Sequence, residues 1–192
     1  MFYWLSWLFY RTFFLFYFPM RVEGRENLPK GPFIFASNHV SFLDPTTICM
    51  AAEKRMNFLA RDSLFRHPLF GWYIKMLGAL PVTRNSADIS AIKTVLKGLK
   101  KYPIVIFPEG SRIKEQRAKT VEAGIGLLAV KSGVPIVPVY LEGTDEAYGV
   151  GHKFMKPGIL GVKFGKPKTY TKGDGDYEAI ANQVHREIYA LA

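Results

Sequence analysis

Apolar positions along this chain follow two different periods, which predict a succession of short strands and helices. Short continuous apolar runs are typical of buried strands. The predicted strands are 33–36, 56–60, 79–83, 103–107 and 134–140. Apolar residues spaced three and four positions apart predict amphipathic helices. The predicted helices are 45–52, 67–77, 88–99, 121–131 and 176–191. This alternation predicts an α/β fold in which a single mixed sheet is flanked by helices.

Proline and glycine positions refine these boundaries. Pro45 suits the first turn of a helix, and Gly133 is placed to end the helix before it. Pro135 and Pro138 lack the N–H group that a residue in a central strand donates. We therefore expect the strand 134–140 to lie at a sheet edge or to contain a bulge.

The first eighteen residues differ from the rest because aromatic side chains dominate them. As a helix this segment would be about 27 Å long, close to the ~30 Å hydrocarbon core of a bilayer. Arg11 would cost about 2.5–3.5 kcal/mol at the centre of a spanning helix, whereas Trp and Tyr favour the headgroup level. We expect residues 1–20 to form an aromatic membrane-interacting helix that lies in the interface, ahead of a globular domain over 21–192. A spanning helix and a helix packed on its own domain or on a partner are the alternatives.

Charge narrows the class of partner. The net charge of +10 favours an anionic partner such as a membrane surface, a phosphorylated substrate or nucleic acid. The aromatic N-terminus suits a membrane and has no use in nucleic-acid binding, so no nucleic acid is expected. A generally basic, soluble surface is the alternative. The single Cys49 cannot form an internal disulfide, and the four histidines do not have the spacing of a zinc motif.

Three polar junctions follow predicted strands, at 37–44, 83–84 and 108–112, where α/β folds place their sites. In the first junction, His39 and Asp44 are five residues apart. A carboxylate that holds a histidine in one tautomer makes it a better base, and a base beside a hydroxyl is central to acyl transfer. We expect Asp44 to lie on the first turn of the following helix and to reach back to the ring. The alternative is a chance pair, with a histidine that is only a hydrogen-bonded loop residue.

The third junction combines Glu109, Gly110 and Arg112 after the cleanest buried strand. Glycine lets the backbone approach a ligand closely, and the arginine fork fits a phosphate. The alternative is an ordinary turn that carries a surface Glu–Arg pair.

Together these segments resemble the glycerolipid acyltransferase family in order and spacing. The matching stretches are 38–45, 59–65, 78–84, 107–112 and 136–139. The bacterial 1-acylglycerol-3-phosphate acyltransferases are the closest resemblance. Two stretches depart from the family pattern. Leu80-Pro81-Val82-Thr83 precedes Arg84 where the family often has Phe-Ile, and the third motif has Ser111 for Thr and Ile113 for its final Ser.

The resemblance implies a role for each candidate residue. His39 would be the general base that takes a proton from the acceptor hydroxyl, and Asp44 would orient it. The substrate-binding residues would be Arg61, Arg84, Glu109, Gly110, Ser111 and Arg112. The three arginines would hold the phosphate of the acceptor, and the alternative is that they are solvated surface residues. No metal and no cofactor are expected.

The implied reaction moves a fatty acyl group from acyl-ACP or acyl-CoA to the sn-2 hydroxyl of 1-acylglycerol 3-phosphate, giving phosphatidic acid. The partners would be one of these donors, lysophosphatidic acid and an anionic membrane surface, with residues 21–192 as the catalytic domain. Arg21, Arg25 and Lys30 follow the anchor and favour the cytoplasmic face of the membrane. The alternatives are another lysophospholipid or an aminolipid as the acceptor, and a non-catalytic lipid-binding module.

Overall fold

A computed structural model of the chain describes residues 2–82, 89–110, 121 and 123–192. The helices are α1 (Phe2–Tyr17), α2 (Asp44–Ala52), α3 (Pro68–Met76), α4 (Ile89–Leu99), α5 (Gly124–Ser132), α6 (Thr144–Tyr148) and α7 (Tyr177–Tyr189). The strands are β1 (Met20–Glu23), β2 (Ile34–Ser37), β3 (Asn57–Arg61), β4 (Ala79–Val82), β5 (Ile104–Ile106), β6 (Ile136–Glu142) and β7 (Leu160–Phe164).

The strands form one seven-stranded sheet in the order β1-β7-β6-β2-β5-β3-β4. The strands β6, β2, β5, β3 and β4 are parallel to one another, whereas β7 is antiparallel to β6 and pairs with β1 in parallel. The prediction of an α/β fold with a single mixed sheet flanked by helices is confirmed.

Helices cover both faces of this sheet. The connections through α2 and α3 step one way along the sheet, and those through α4 and α5 step back. Because such crossovers are right-handed, α2 and α3 lie on one face while α4 and α5 lie on the other. The buried clusters agree with this arrangement. Ile48 of α2 packs in one cluster, and Val95 of α4, Ile125 of α5 and Ile180 of α7 pack in the other.

The N-terminal helix α1 packs on the outside of α2. Phe14 and Phe18 are buried in a cluster with Met50 of α2 and Leu160 of β7. The opposite side of α1 exposes large apolar side chains, namely Trp4, Leu5, Leu8, Phe9 and Phe16. In the part of the chain that the structure describes, no helix is both long enough and apolar enough to span a membrane. Contact of α1 with a membrane, and the division into 1–20 and 21–192, stay predictions.

The prediction that the strand with two prolines lies at a sheet edge is wrong, because β6 is central and pairs with β2 and β7. Pro135 precedes the strand, and its carbonyl accepts the N–H of Ile34 at 3.0 Å. The carbonyl of Pro138 faces Gly165, whose N–H it accepts at 2.8 Å just beyond the end of β7. The missing N–H of Pro138 therefore falls where the pairing with β7 stops.

Three elements were not predicted from the sequence. The edge strand β1 alternates between half-buried and exposed positions over four residues, and its neighbour β7 alternates between buried and half-buried positions over five. The helix α6 has only five residues, which is about one and a half turns. Segments this short have too few positions to establish a period.

We expect a side chain at Gly126 to destabilise the fold, because α5 and α7 approach each other closely there. A Cβ atom at position 126 would lie 2.0 Å from the carbonyl oxygen of Tyr177. Gly126→Ala should lower the free energy of unfolding by about 1–3 kcal/mol, the usual cost of overpacking. Gly124→Ala is the matched control, since a Cβ atom there meets nothing within 4 Å. Urea unfolding of both variants tests this, and equal midpoints would contradict it.

Candidate active site

The loops after β2 and β5 meet at one edge of the sheet. The two strands are parallel neighbours, with Ala36 paired to Ile106. Their carboxyl ends therefore emerge side by side, at the position where open α/β sheets bind ligands. The loop after β2 carries His39, and the turn after β5 carries Glu109.

His39 and Asp44 are in direct contact. The ring Nδ1 of His39 lies 2.8 Å from Oδ2 of Asp44, which is fully buried on the first residue of α2. The predicted reach of Asp44 back to the ring is confirmed. Because an ionised carboxylate only accepts, Nδ1 carries the proton of this bond and Nε2 keeps a free lone pair. The ring is arranged as a base, although its role in catalysis stays a prediction.

The carboxylate of Asp44 also organises the loop in front of it. The same Oδ2 accepts the backbone N–H groups of Val40 and Ser41, each at 2.8 Å. One oxygen therefore sets both the loop conformation and the direction of the imidazole. Among the described residues, the other oxygen, Oδ1, is buried without a hydrogen-bond partner. A positively charged imidazolium at His39 would therefore be stabilised by the negative charge of this buried carboxylate.

Two further side chains clamp the His39 loop to its surroundings. Asn38 donates from Nδ2 to the carbonyl of Leu141 at 3.0 Å and accepts the N–H of Leu141 at 2.8 Å. Ser41 donates from Oγ to the carbonyl of Tyr148 at 2.7 Å. No role for Asn38 was predicted from the sequence. A polar residue directly before the candidate base, at the end of an apolar strand, was the available signal.

The imidazole of His39 lies against the ring of Phe107. Their centroids are 3.9 Å apart and their planes differ by 15°. This contact covers one face of the imidazole, and 17% of the His39 side chain remains exposed. The ring is therefore held at Nδ1 by Asp44 and on one face by Phe107, and part of it stays exposed.

Glu109 supports the backbone of His39. Its Oε2 accepts the N–H of His39 at 2.9 Å, and its Oε1 accepts the hydroxyl of Tyr189 at 2.7 Å. Burial raises the pKa of the Glu109 carboxyl above its ordinary value, and the Tyr189 hydrogen bond opposes that rise. Both oxygens are engaged by the protein. Substrate binding by Glu109 stays a prediction beside this structural contact.

Gly110 ends the turn that carries Glu109. Its φ is +66°, and its N–H donates to the carbonyl of Phe107 at 3.1 Å. A positive φ is costly for any residue with a Cβ atom, so glycine here allows the chain to turn sharply at the site. Contact of Gly110 with substrate stays a prediction.

The other predicted site residues lie partly beyond the described ranges. Arg61 is the last residue of β3, exposed at the same edge of the sheet as His39. Arg84, Ser111 and Arg112 fall outside the described residues. Among the described residues, no group of three or more His, Cys, Asp and Glu side chains could hold a metal ion.

The contact of Tyr189 with Glu109 was not predicted from the sequence. Tyr189 is the last residue of α7, and 80 positions separate it from Glu109. The amphipathic pattern of this helix indicates which side packs inward, but it carries no information about what a tyrosine hydroxyl at its end contacts.

The chain is similar to several enzymes of known reaction. It is 32% identical over 178 residues to a chloroplast 1-acyl-sn-glycerol-3-phosphate acyltransferase of Arabidopsis thaliana, covering 90% of this chain and 49% of the plant protein. It is 30% identical over 166 residues to the 1-acyl-sn-glycerol-3-phosphate acyltransferase of Streptococcus pneumoniae, covering 83% and 60%. The chain thus spans roughly half the length of these relatives.

A solved structure has the same fold. The crystal structure of the 1-acyl-sn-glycerophosphate acyltransferase of Thermotoga maritima matches with a TM-score of 0.79 and 28% identity. The match covers 94% of this chain and 74% of that one. The superposition therefore includes nearly all of the elements described above.

A protein-family model described as "Acyltransferase" matches residues 19–142. The matched segment holds the His39–Asp44 pair and the Glu109 turn, and it runs from before β1 to the end of β6. Because it takes in more than half of the sequence, the chain belongs to the acyltransferase family.

Proposed function

We propose that this protein transfers a fatty acyl group from a thioester donor to the sn-2 hydroxyl of 1-acylglycerol 3-phosphate. The observation that carries the proposal is the 2.8 Å contact between Nδ1 of His39 and the buried carboxylate of Asp44. It leaves a ring nitrogen available as a base at the carboxyl edge of the sheet. The similarity to enzymes named for this reaction supports the choice of acceptor.

The proposed chemistry needs no cofactor. Nε2 of His39 takes the proton of the acceptor hydroxyl while the oxygen attacks the thioester carbonyl. The tetrahedral intermediate collapses, the carbon–sulfur bond breaks, and the thiolate takes the proton from the imidazolium. Asp44 stabilises that imidazolium throughout. The products are phosphatidic acid and the free thiol of the donor.

The acceptor phosphate is assigned to the three arginines of the predicted site. Arg61 ends β3, and Arg84 and Arg112 belong to the polar segments that follow β4 and β5. The strands β3, β4 and β5 are parallel, so their carboxyl ends lie at one edge of the sheet, where α/β folds bind ligands. Guanidinium groups bind phosphate in a bidentate way. Ser111 and Gly110 complete the acceptor site in this proposal.

Both proposed donors, acyl-CoA and acyl-ACP, offer the same reactive group, a thioester.

An acyltransferase acting on another lysophospholipid or an aminolipid would use the same base. A non-catalytic lipid-binding module is disfavoured, because a buried carboxylate aligned on a histidine nitrogen serves no purpose in lipid binding alone.

Membrane association follows from the nature of the acceptor and from α1. The outer side of that helix exposes Trp4 and Phe9, and the chain carries a net charge of +10. Such a helix suits the interface of an anionic bilayer. Arg21, Arg25 and Lys30 after α1 favour the cytoplasmic face of the membrane.

Removing the base should abolish most of the activity. We expect His39→Ala to lower kcat for acyl transfer to lysophosphatidic acid by about 10²–10⁴-fold, the usual contribution of a general base. The measurement is release of free thiol from acyl-CoA by purified protein. His152→Ala, in the loop after α6, is the matched control and should retain activity. A wild-type rate for His39→Ala would exclude the assigned base.

Removing a phosphate-binding arginine should affect acceptors unequally. We expect Arg61→Ala and Arg112→Ala each to lower kcat/KM for lysophosphatidic acid by about tenfold or more, since each removes a charge-assisted hydrogen bond. The loss should shrink for monoacylglycerol, which lacks the phosphate. Arg55→Ala is the control for Arg61→Ala, because Arg55 precedes β3 while Arg61 ends it. Equal losses with both acceptors would contradict the assignment.

A further inference from the structure

Exposed large apolar side chains are concentrated in a few segments of the described chain. One group lies on α1, a second on the segment 64–76, and the rest are Phe42 and residues within 150–159. The second group comprises Leu64, Leu69, Phe70, Trp72 and Met76. Among the described residues, α4, α5 and α7 contribute none, so this exposure avoids the helices on the opposite face of the sheet.

The segment 62–76 is a compact unit with one apolar side turned outward. Gly71 packs on the backbone of Phe65, where an added Cβ atom would come within 2.8 Å of the Phe65 Cα atom. Ile74 is buried beneath the helix. Leu69 is 76% exposed and Trp72 is 55% exposed. These two residues lie on the outer side of a helix that is already supported from within.

The segment is joined to α1. The hydroxyl groups of Tyr10 and Tyr73 are 2.7 Å apart, which connects the middle of α1 to the middle of α3. Both helices lie on the face of the sheet that α2 covers. Their exposed apolar sides therefore belong to neighbouring helices, although 63 positions separate the two tyrosines.

Charge indicates what covers this surface. Arg61, Arg66 and Lys75 are exposed around the apolar residues. The single acidic residue of the segment, Asp62, accepts the N–H of Ser63 at 2.7 Å. Aromatic and apolar side chains within a basic rim match the headgroup region of an anionic bilayer, where Trp and Phe insert and cations meet phosphate.

We propose that α3 and the turn 62–66 form a second membrane contact, which with α1 makes one surface bound to anionic lipid. This proposal rests on the membrane location in the proposed function. It adds a consequence for the site, because the turn begins directly after Arg61 at the carboxyl edge of β3. The second contact places that edge of the sheet at the lipid surface from which the acceptor enters.

The fluorescence of Trp72 tests the proposal directly. In a Trp4→Phe, Trp7→Phe background, Trp72 is the only tryptophan left. Addition of phosphatidylglycerol vesicles should shift its emission to shorter wavelength, and neutral phosphatidylcholine vesicles should do so less. Leu69→Ser in the otherwise unchanged chain should weaken sedimentation with the anionic vesicles by about tenfold.

The outcomes separate this proposal from the proposed function. Vesicles that sediment the protein while the Trp72 emission stays unchanged would overturn the second contact and leave membrane association intact. Failure of the wild-type chain to sediment would overturn both. Acyl transfer to lysophosphatidic acid in detergent micelles reports the chemistry separately, and Leu69→Ser should leave it unchanged.

Independent contacts tie α7 to the candidate base. The Tyr189 hydroxyl donates to Oε1 of Glu109 at 2.7 Å, and Oε2 of Glu109 accepts the N–H of His39 at 2.9 Å. The ring of Tyr189 packs edge-on against Tyr140 of β6, with centroids 5.8 Å apart. Tyr189 lies well beyond residues 19–142, which the family model covers.

We infer that Tyr189 is a positioning residue for His39. It holds Glu109 in the one orientation in which its second oxygen restrains the His39 backbone, while Asp44 restrains the ring. In this inference Tyr189 acts on His39 through Glu109. The proposed function supplies the reaction on which this inference rests.

Removal of the Tyr189 hydroxyl alone tests the inference. Tyr189→Phe should lower kcat about tenfold and leave the KM for lysophosphatidic acid unchanged. Tyr177→Phe is the matched control at the other end of the same helix and should have wild-type kinetics. In a Glu109→Gln background, Tyr189→Phe should cause no further loss, because residues acting through one contact are not additive.

Two results would overturn it. One is a wild-type kcat for the Tyr189→Phe variant when the separate His39→Ala variant is inactive. The other is the same fractional loss in both backgrounds, which would mean that Tyr189 acts without Glu109. An active His39→Ala variant would instead overturn the proposed function.

Discussion

The candidate site depends on one buried carboxylate oxygen. Oδ2 of Asp44 lies 2.8 Å from each of three nitrogen atoms, namely Nδ1 of His39 and the backbone nitrogens of Val40 and Ser41. A fully buried carboxylate is costly unless it is hydrogen-bonded. The fold therefore has to supply these donors, and doing so closes the loop after β2 and directs the imidazole. The hydrogen bonds that stabilise the buried Asp44 are therefore the same ones that orient His39.

Asn38 and Glu109 add further hydrogen bonds that hold the loop carrying His39. Asn38 fixes the start of the loop to Leu141 of β6, and Glu109 fixes the N–H of His39 from the turn after β5. Three strands thus determine where the imidazole lies. Each of these hydrogen bonds has a side chain of Asp44, Asn38 or Glu109 as one partner, and these three side chains are buried. The position of His39 therefore follows from buried, hydrogen-bonded side chains.

Short sequence features near His39 predicted its contact with Asp44. The strand before His39, the proline after Asp44 and the five-residue spacing were enough to predict the contact. The central position of β6 could not be predicted from Pro138, because its tolerance depends on where the pairing with β7 ends. The part played by Tyr189 could not be predicted either, since a helical period does not specify a partner 80 residues away.

The amide of Asn38 has a further consequence for the geometry of the sheet. It donates to and accepts from the backbone of Leu141 as a strand residue would, so hydrogen bonding between β2 and β6 continues through a side chain after the β2 backbone has turned away. The backbone of β2 can therefore leave the sheet after Ser37, while the side chain of Asn38 makes the next pair of hydrogen bonds to β6. His39 is consequently not bound to the alternation that directs strand side chains to one face or the other, and its ring can lie along the rim of the sheet.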